Sequence, residues 1–312
     1  MIRWTIDEKL LNSPAITNRN LYAEKLAGTS EEAIITQYVG LTPSQVRQEF
    51  GAIFKIIRDL GLSIKGTGLE LGAGVGVLSA VAINNSAEIE QCYAVEIVQK
   101  VLELLQPRAV RHIAGEKANK VLSVLGSFDA MEVPDAFFDF CVEYASLHHS
   151  DNLVRTLRET ARVLKPGAPL VAIDRAHVDG VSDAQLRFML DVRYSASWKA
   201  RNGYAELELS RAENGEHEIR LREWLAAFEM SGFEVVRIIE LRKTGLATFF
   251  RKIILLLPFA LRRLIRVMPS RVRPSWSELF WLFGSLIGVR HTDSIFMKAD
   301  REHTCFILRK KL

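Results

Sequence analysis

The stretch Leu69–Ser79, LELGAGVGVLS, decides how the chain is read. Gly72, Gly74 and Gly76 fall at alternate positions, straight after an apolar run and straight before a helical apolar pattern. That order is a strand, a tight turn and a helix start. Glycine suits such a turn because the backbone angles it needs are closed to residues with a Cβ, and because a ligand can approach the main chain there. Glu70 lies in the strand end, and twenty residues beyond Gly76 the apolar run CYAVEI closes on Glu96. An acidic side chain at that distance is placed to take the two hydroxyls of a ribose. A nucleoside site is the expectation.

The chemistry depends on the third glycine. A dinucleotide fingerprint, Gly-x-Gly-x-x-Gly, requires one at position 77, where the chain has Val77. The spacing found, Glu-x-Gly-x-Gly-x-Gly, resembles motif I of the class I S-adenosylmethionine-dependent methyltransferases. Asp139, in FFDFCVEYASLHH, is similar to the acidic residue that opens that family's fourth strand. ARVLKPGAPLVAID, Ala161 to Asp174, resembles its helix, Lys-Pro-Gly turn and fifth strand. The likeness covers roughly residues 66 to 175, with fainter echoes to 241 and at the C-terminus.

The resemblance implies S-adenosyl-L-methionine as cofactor and a set of site residues. Glu70, Gly72, Ala73, Gly74 and Gly76 are expected around its methionine end and ribose, Glu96 on the ribose, and Ile97 along the adenine. In GSFDAMEVPD, Gly126 to Asp135, Ser127 occupies the place of the family's adenine-binding aspartate. A hydroxyl there can accept the same bond without charge assistance. Phe128 either stacks on the base or belongs to the core, and Asp129 is the alternative acceptor. Glu143 and Tyr144 are expected at the cofactor's amino-acid part. His148 and His149 are candidates for the general base, with the alternative that the pair only orders the next helix near Asp151. Asp174, Arg175 and His177 follow strand five at the mouth of the site, and His217 and Glu218 could face the acceptor. No metal-ligand set is seen.

Alternating strands and helices argue for an α/β fold: a Rossmann-like, seven-stranded, mostly parallel sheet with helices on both faces. Strands are expected near 68–71, 91–96, 121–125, 137–144 and 169–174, then after Gly232 and at TCFILRK. Helices are expected near 76–84, 98–114 and 151–164. LTPSQVRQEFGAIFKIIRDLG adds one with Thr42 as N-cap, Pro43 at its first turn and Val46, Phe50, Ile53, Phe54 and Ile57 on one side. Residues 1–40 lack a clean period and read as irregular structure with short helices. The organisation expected is an N-terminal segment over the cofactor site (1–65), a cofactor-binding core (66–241), a basic helical insertion (242–300) and a final core strand (301–312).

Composition is ordinary, 48% apolar and 25% charged, with a net charge of +4. The charge is unevenly spread: between Arg242 and Arg273 stand nine Lys or Arg and no Asp or Glu. At helical spacing Arg251, Lys252, Arg262, Arg263 and Arg266 share one side, opposite Phe250, Ile253, Leu257, Leu261, Leu264 and Met268, with Pro258 as a kink. Together with SWSELFWLFGSLIG, residues 246–290 read as a contact with an anionic membrane surface, or as a lid or dimer contact. Cys92, Cys141 and Cys305 sit in apolar runs without metal spacing, the pattern of reduced thiols. With no secretory signal and no apolar run of about 20 residues, a cytoplasmic protein peripheral to the inner membrane face is expected.

The acceptor expected is a small molecule, a lipid or a lipid-linked sugar, methylated preferably on oxygen. Nucleic acid is disfavoured, because the basic stretch is interleaved with aliphatics and no base-modifying Asn/Asp-Pro-Pro-aromatic motif occurs. The competing readings are a non-catalytic cofactor-binding or interaction protein and a nicotinamide-dependent oxidoreductase.

Overall fold

The computed structural model describes residues 1–193, 210–241 and 303–312. The basic insertion with its membrane-contact residues 246–290 lies outside the described residues.

One sheet organises the chain. Its strands are β1 (Ile2–Arg3), β2 (Gly66–Leu71), β3 (Ile89–Glu96), β4 (Val121–Leu125), β5 (Phe140–Tyr144), β6 (Pro169–Asp174), β7 (Phe233–Leu241) and β8 (His303–Lys310). They run in the spatial order β1-β4-β3-β2-β5-β6-β8-β7. All pairings are parallel except those of β8 with β6 and β7. The chain winds outward from β2 in both directions, so β2 and β5 flank the switch point. Sheets of this kind open a crevice there, beyond the strand C-termini.

Among the described residues the sheet has eight strands, one more than expected. The extra strand is β1, two residues that pair with Val124 and Leu125 at the edge, too short to carry an alternating pattern. The N-terminal region is also more regular than its sequence suggests. It folds into α1 (Glu8–Leu11), α2 (Pro14–Ala27) and α3 (Glu31–Val39). Ser13 and Ser30 cap the last two, accepting from Ile16 N and Ala33 N. Those caps were legible; the apolar stripe behind them is too weak to announce the helices.

Helix α4 (Pro43–Asp59) forms as expected, with Thr42 and Gln45 in a reciprocal capping box and the five predicted apolar residues buried. The expected helix over 98–114 instead opens with a π-helical turn, Val101–Leu105, before α6 (Gln106–Ala114), while α5 (Val77–Asn85) precedes β3. Pro107 has no N–H to return to the preceding turn, which suits the wider winding. The remaining described helices are α7 (Leu153–Val163), α8 (Asp183–Asp191) and α9 (Leu221–Met230).

Helices cover both sheet faces. One core joins Phe50, Ile57, Val81, Ile83 and Val110 to the sheet, and the other packs Leu157, Trp224 and Phe228 against Leu69, Cys141 and Phe306. A fully buried aromatic contributes roughly 1.5–3 kcal/mol, so the Trp224, Phe228 and Phe306 cluster anchors the antiparallel end of the sheet. That anchoring leaves the loops at the β2–β5 crevice to serve the site.

Candidate active site

The crevice is a cavity of about 680 Å³, within the usual range for a small-molecule site. Gly72 and Gly74 have φ of +54° and +49°. A Cβ at Gly72 would overlap the Ser146 side chain, and one at Gly74 would lie 2.7 Å from Tyr38 Cε1. The turn therefore depends on glycine twice over, for its dihedrals and for the close approach of neighbouring elements.

Glu96 is turned toward the cavity. Its Oε2 accepts from Gly74 N at 2.8 Å, and its Oε1 from Ile97 N at 2.8 Å and Val98 N at 2.9 Å. A carboxylate offers about four acceptor positions, so capacity for a ligand hydroxyl remains at a group that is only 7% exposed. Ile97 lines the cavity beside it. Glu96→Ala should weaken S-adenosylmethionine binding by about 1.5–3 kcal/mol through loss of charge-assisted bonds, as read by calorimetric titration.

Glu70 also borders the cavity, but its oxygens are engaged elsewhere. They accept from Leu78 N at 3.3 Å and Ser79 N at 2.8 Å, in the first turn of α5. Burial dominates its titration and, despite those amides, pushes its pKa up to about 7. The ionised form is thus disfavoured on folding. Stability from this group is complete below about pH 4.5 and is lost as the pH rises toward 7. Glu70→Gln is expected to flatten the dependence of thermal stability on pH across that window, measured by calorimetry in a pH series.

In the loop after β4, Ser127, Phe128 and Asp129 all line the cavity. Asp129 bonds to the Thr156 hydroxyl, and Ser127 Oγ accepts from Asp129 N at 3.2 Å. Phe128 packs on the second core and also lines the cavity. The loop rests on a residue the sequence reading passed over: the Trp4 ring fills the space beside Gly126.

At the end of β5, Tyr144 lines the cavity, whereas Glu143 lies fully buried behind it and is absent from the lining. His148 and His149 differ sharply. His148 Nδ1 donates to Asp174 Oδ1 at 2.7 Å, while its own amide donates to Asp174 Oδ2 at 2.9 Å. Burial raises the Asp174 pKa, but the His148 charge and hydrogen bond, with Arg175 beside them, outweigh it and hold the carboxyl at about 2. The ring is thereby fixed with its proton on Nδ1, and Nε2 has no partner among the described residues. His149 donates from Nδ1 to Gly215 O at 2.7 Å, and its Nε2 accepts from Arg19 Nη2 at 3.1 Å. Burial, then Arg19 and His148, push its pKa well below the ordinary value. It is a neutral ring whose lone pair is taken. Of the two, His148 has the geometry of a base.

Arg175 reaches the cavity and pairs with Glu216 at 2.7 Å. His177 and Glu218 instead bond to each other below the surface, with Arg211 also on Glu218. His217 grips the His148 carbonyl through its amide and Nδ1, at 2.9 and 3.0 Å. These three residues brace the site without lining it. Arg19, Tyr38 and the 212–216 segment do line it; they come from regions whose sequence carries no motif. Among the described residues no group of three or more His, Cys, Asp or Glu side chains could hold a metal ion.

Comparisons with known proteins place the fold. A methyltransferase-domain family model matches residues 69–172. The uncharacterized methyltransferase YcgJ of Bacillus subtilis (strain 168) is 26% identical over 133 residues, which is 39% of this chain. The match spans about half of that relative, 48% of its length. Among solved structures, a candidate sarcosine dimethylglycine methyltransferase from Galdieria sulphuraria superposes with a TM-score of 0.53 at 16% identity, over 85% of this chain and 86% of the other. A candidate methyltransferase from Bacillus halodurans C-125 gives 0.50 at 18% identity, over 83% and 99%. At such identities the structures speak for the fold. With the family match over the crevice-forming strands, the chain carries a class I S-adenosylmethionine-dependent methyltransferase domain. The cavity fits that cofactor: a carboxylate with spare acceptor capacity, a glycine turn, and the Ile97 and Phe128 side chains.

Proposed function

We propose that this chain methylates a hydroxyl group of a small-molecule, lipid or lipid-linked sugar acceptor. The observation that carries the reading is the Asp174–His148 pair, which opens into the same cavity as the glycine turn and Glu96. Bound against Glu96, Ile97 and residues 72–74, S-adenosylmethionine supplies an electrophilic methyl group on a sulfonium centre. The protein then needs no covalent nucleophile. Its tasks are to place the acceptor oxygen in line and to remove its proton. His148 Nε2 takes that proton, and the ionised Asp174 stabilises the imidazolium that results. Arg19, Arg175 and Glu216 offer polar contacts around the acceptor. Phosphorus-free polyols, lipid headgroups and glycolipids, presented with methyl-labelled cofactor, test the reading. It expects label on an ether oxygen, and tight cofactor binding with no turnover on any acceptor class would overturn it.

The basic stretch from Arg242 to Arg273 supports a second element of the proposal, peripheral attachment to an anionic bilayer through residues 246–290. Flotation with phosphatidylglycerol vesicles should carry the full chain upward, and about 0.5 M salt should weaken the association by screening. Absence of binding at low salt would remove this element and leave the chemistry untouched.

A further inference from the structure

Glu143, expected at the cofactor's amino-acid part, is withdrawn from the cavity by the fold. Its side chain is fully buried in β5, next to Leu71 of β2 in register and one strand from Asp174. Oε2 is within 2.9 Å of Ser146 N, 2.8 Å of Ser146 Oγ and 3.3 Å of Leu147 N. Among the described residues Oε1 has no hydrogen-bond partner. Ser146 Oγ is simultaneously 2.9 Å from the Leu71 carbonyl oxygen.

These contacts pose a proton-counting problem. A serine hydroxyl has one proton to donate, and here two oxygens, Leu71 O and Glu143 Oε2, stand at bonding distance. Both contacts are full two-centre hydrogen bonds only if one of the oxygens brings a proton of its own; otherwise the single serine proton is shared between two acceptors. The carbonyl cannot bring one, and the carboxyl can. We infer that Glu143 is a neutral carboxylic acid donating from Oε2 to Ser146 Oγ, and that it thereby acts as a positioning residue for the glycine turn. The Ser146 proton then goes to Leu71 O, tying the end of β2 to the end of β5. Ser146 also fills the space where a Cβ on Gly72 would stand, so its placement sets the path of the turn itself.

Two further observations agree. An unpartnered oxygen in a dry interior costs far less on a neutral acid than on a carboxylate. Among the described residues, the charge that acts most strongly on Glu143 is an anion, Asp174 on β6, and the thiols Cys141 and Cys305 that feel its field are buried. Burial first, then the Asp174 charge, push its pKa well above the carboxylate range. The consequence for the site is that Asp174 stands as the only ionised carboxylate behind His148. The relevance to methyl transfer rests on the function proposed above; the protonation state itself does not.

Carbon-13 NMR of the intact chain labelled at glutamate carboxyls tests the inference without cofactor, acceptor or turnover. One resonance should keep the neutral-acid shift from about pH 5.5 to 8.5, where an ordinary glutamate is ionised, and Ser146→Ala should displace that resonance. A full set of ionised glutamates at pH 8.5, above the Glu70 titration near 7, overturns the assignment. The positioning role is read from S-adenosylmethionine affinity. Glu143→Gln, which offers an N–H in place of the O–H, should keep Kd within about threefold, while Glu143→Leu raises it about tenfold or more. Equal losses in the two variants, or no loss in Glu143→Leu, overturn the role. Should Glu143→Leu not fold, the labelled wild-type chain still decides the protonation state, and Ser146→Ala, with an expected Kd rise of the same order, decides the positioning.

Discussion

His148→Ala should lower kcat by about 10²–10⁴, the usual contribution of a positioned general base, while S-adenosylmethionine affinity stays within a few-fold. The split follows from where the ring sits. Its Nδ1 is bound to Asp174, its carbonyl is held by His217, and neither contact belongs to the cofactor-facing turn at residues 72–76. Asp174→Asn should produce a loss of similar order, because an amide can meet the ring from either side and no longer selects the tautomer with Nε2 unprotonated. His149→Ala should act differently. That ring accepts from Arg19 of α2 and donates to Gly215, so its removal loosens the wall around the acceptor and should raise the acceptor KM more than it lowers kcat. Stopped-flow single-turnover measurements, which isolate the transfer step, check all three. A kcat untouched in His148→Ala would mean that the acceptor arrives already deprotonated or carries no proton to remove.

Two acids in this site respond oppositely to pH for physical reasons that are visible in their partners. Asp174, held at about 2, stabilises the fold above its ordinary range near 3.8, and that stability is lost as the pH falls through 2. Glu70, raised to about 7, gives stability that fades between about 4.5 and 7. Asp174 meets a histidine and an arginine, whereas Glu70 meets only amides. At neutral pH the Asp174–His148 pair is therefore intact, while much of the stability linked to the neutral form of Glu70 is already lost.

The features legible in the sequence are those fixed locally. The Gly72–Gly76 turn, the Thr42–Gln45 cap and the apolar strands each depend on neighbours within a few residues, so spacing reveals them. The mostly parallel order follows from the alternation of strands and helices along the chain. What escaped was set by distant contacts. Arg19 reaches His149 across 130 positions, and Trp4 reaches Gly126 across the sheet edge. No local pattern encodes either meeting. Glu143 was misplaced for a related reason: strand alternation puts it and Tyr144 on opposite faces, but which face looks into the cavity is decided by the helices above. The two histidines are adjacent in sequence and were indistinguishable there; Asp174 on the neighbouring strand separates them.

Gly72→Ala should be strongly destabilising, with a cost of about 2–5 kcal/mol. The left-handed backbone at φ +54° accounts for roughly 1–2 kcal/mol of it, and forcing a methyl group into space already filled by Ser146 for about 1–3 more. Gly61 provides the control that separates these contributions. Its φ is +73°, yet a Cβ there meets nothing within 4 Å. Gly61→Ala should therefore show the backbone cost alone, in urea denaturation under the same conditions, and leave cofactor affinity unchanged. In Gly72→Ala the methyl group cannot enter unless Ser146 or the turn gives way, and either movement shifts Gly74 N relative to Glu96. Cofactor affinity should fall by tenfold or more, about 1.4 kcal/mol, beyond the loss of stability. Equal stability losses in the two variants would show that dihedral strain is the whole effect and that Ser146 yields freely, in which case the close approach at the turn does not constrain the site.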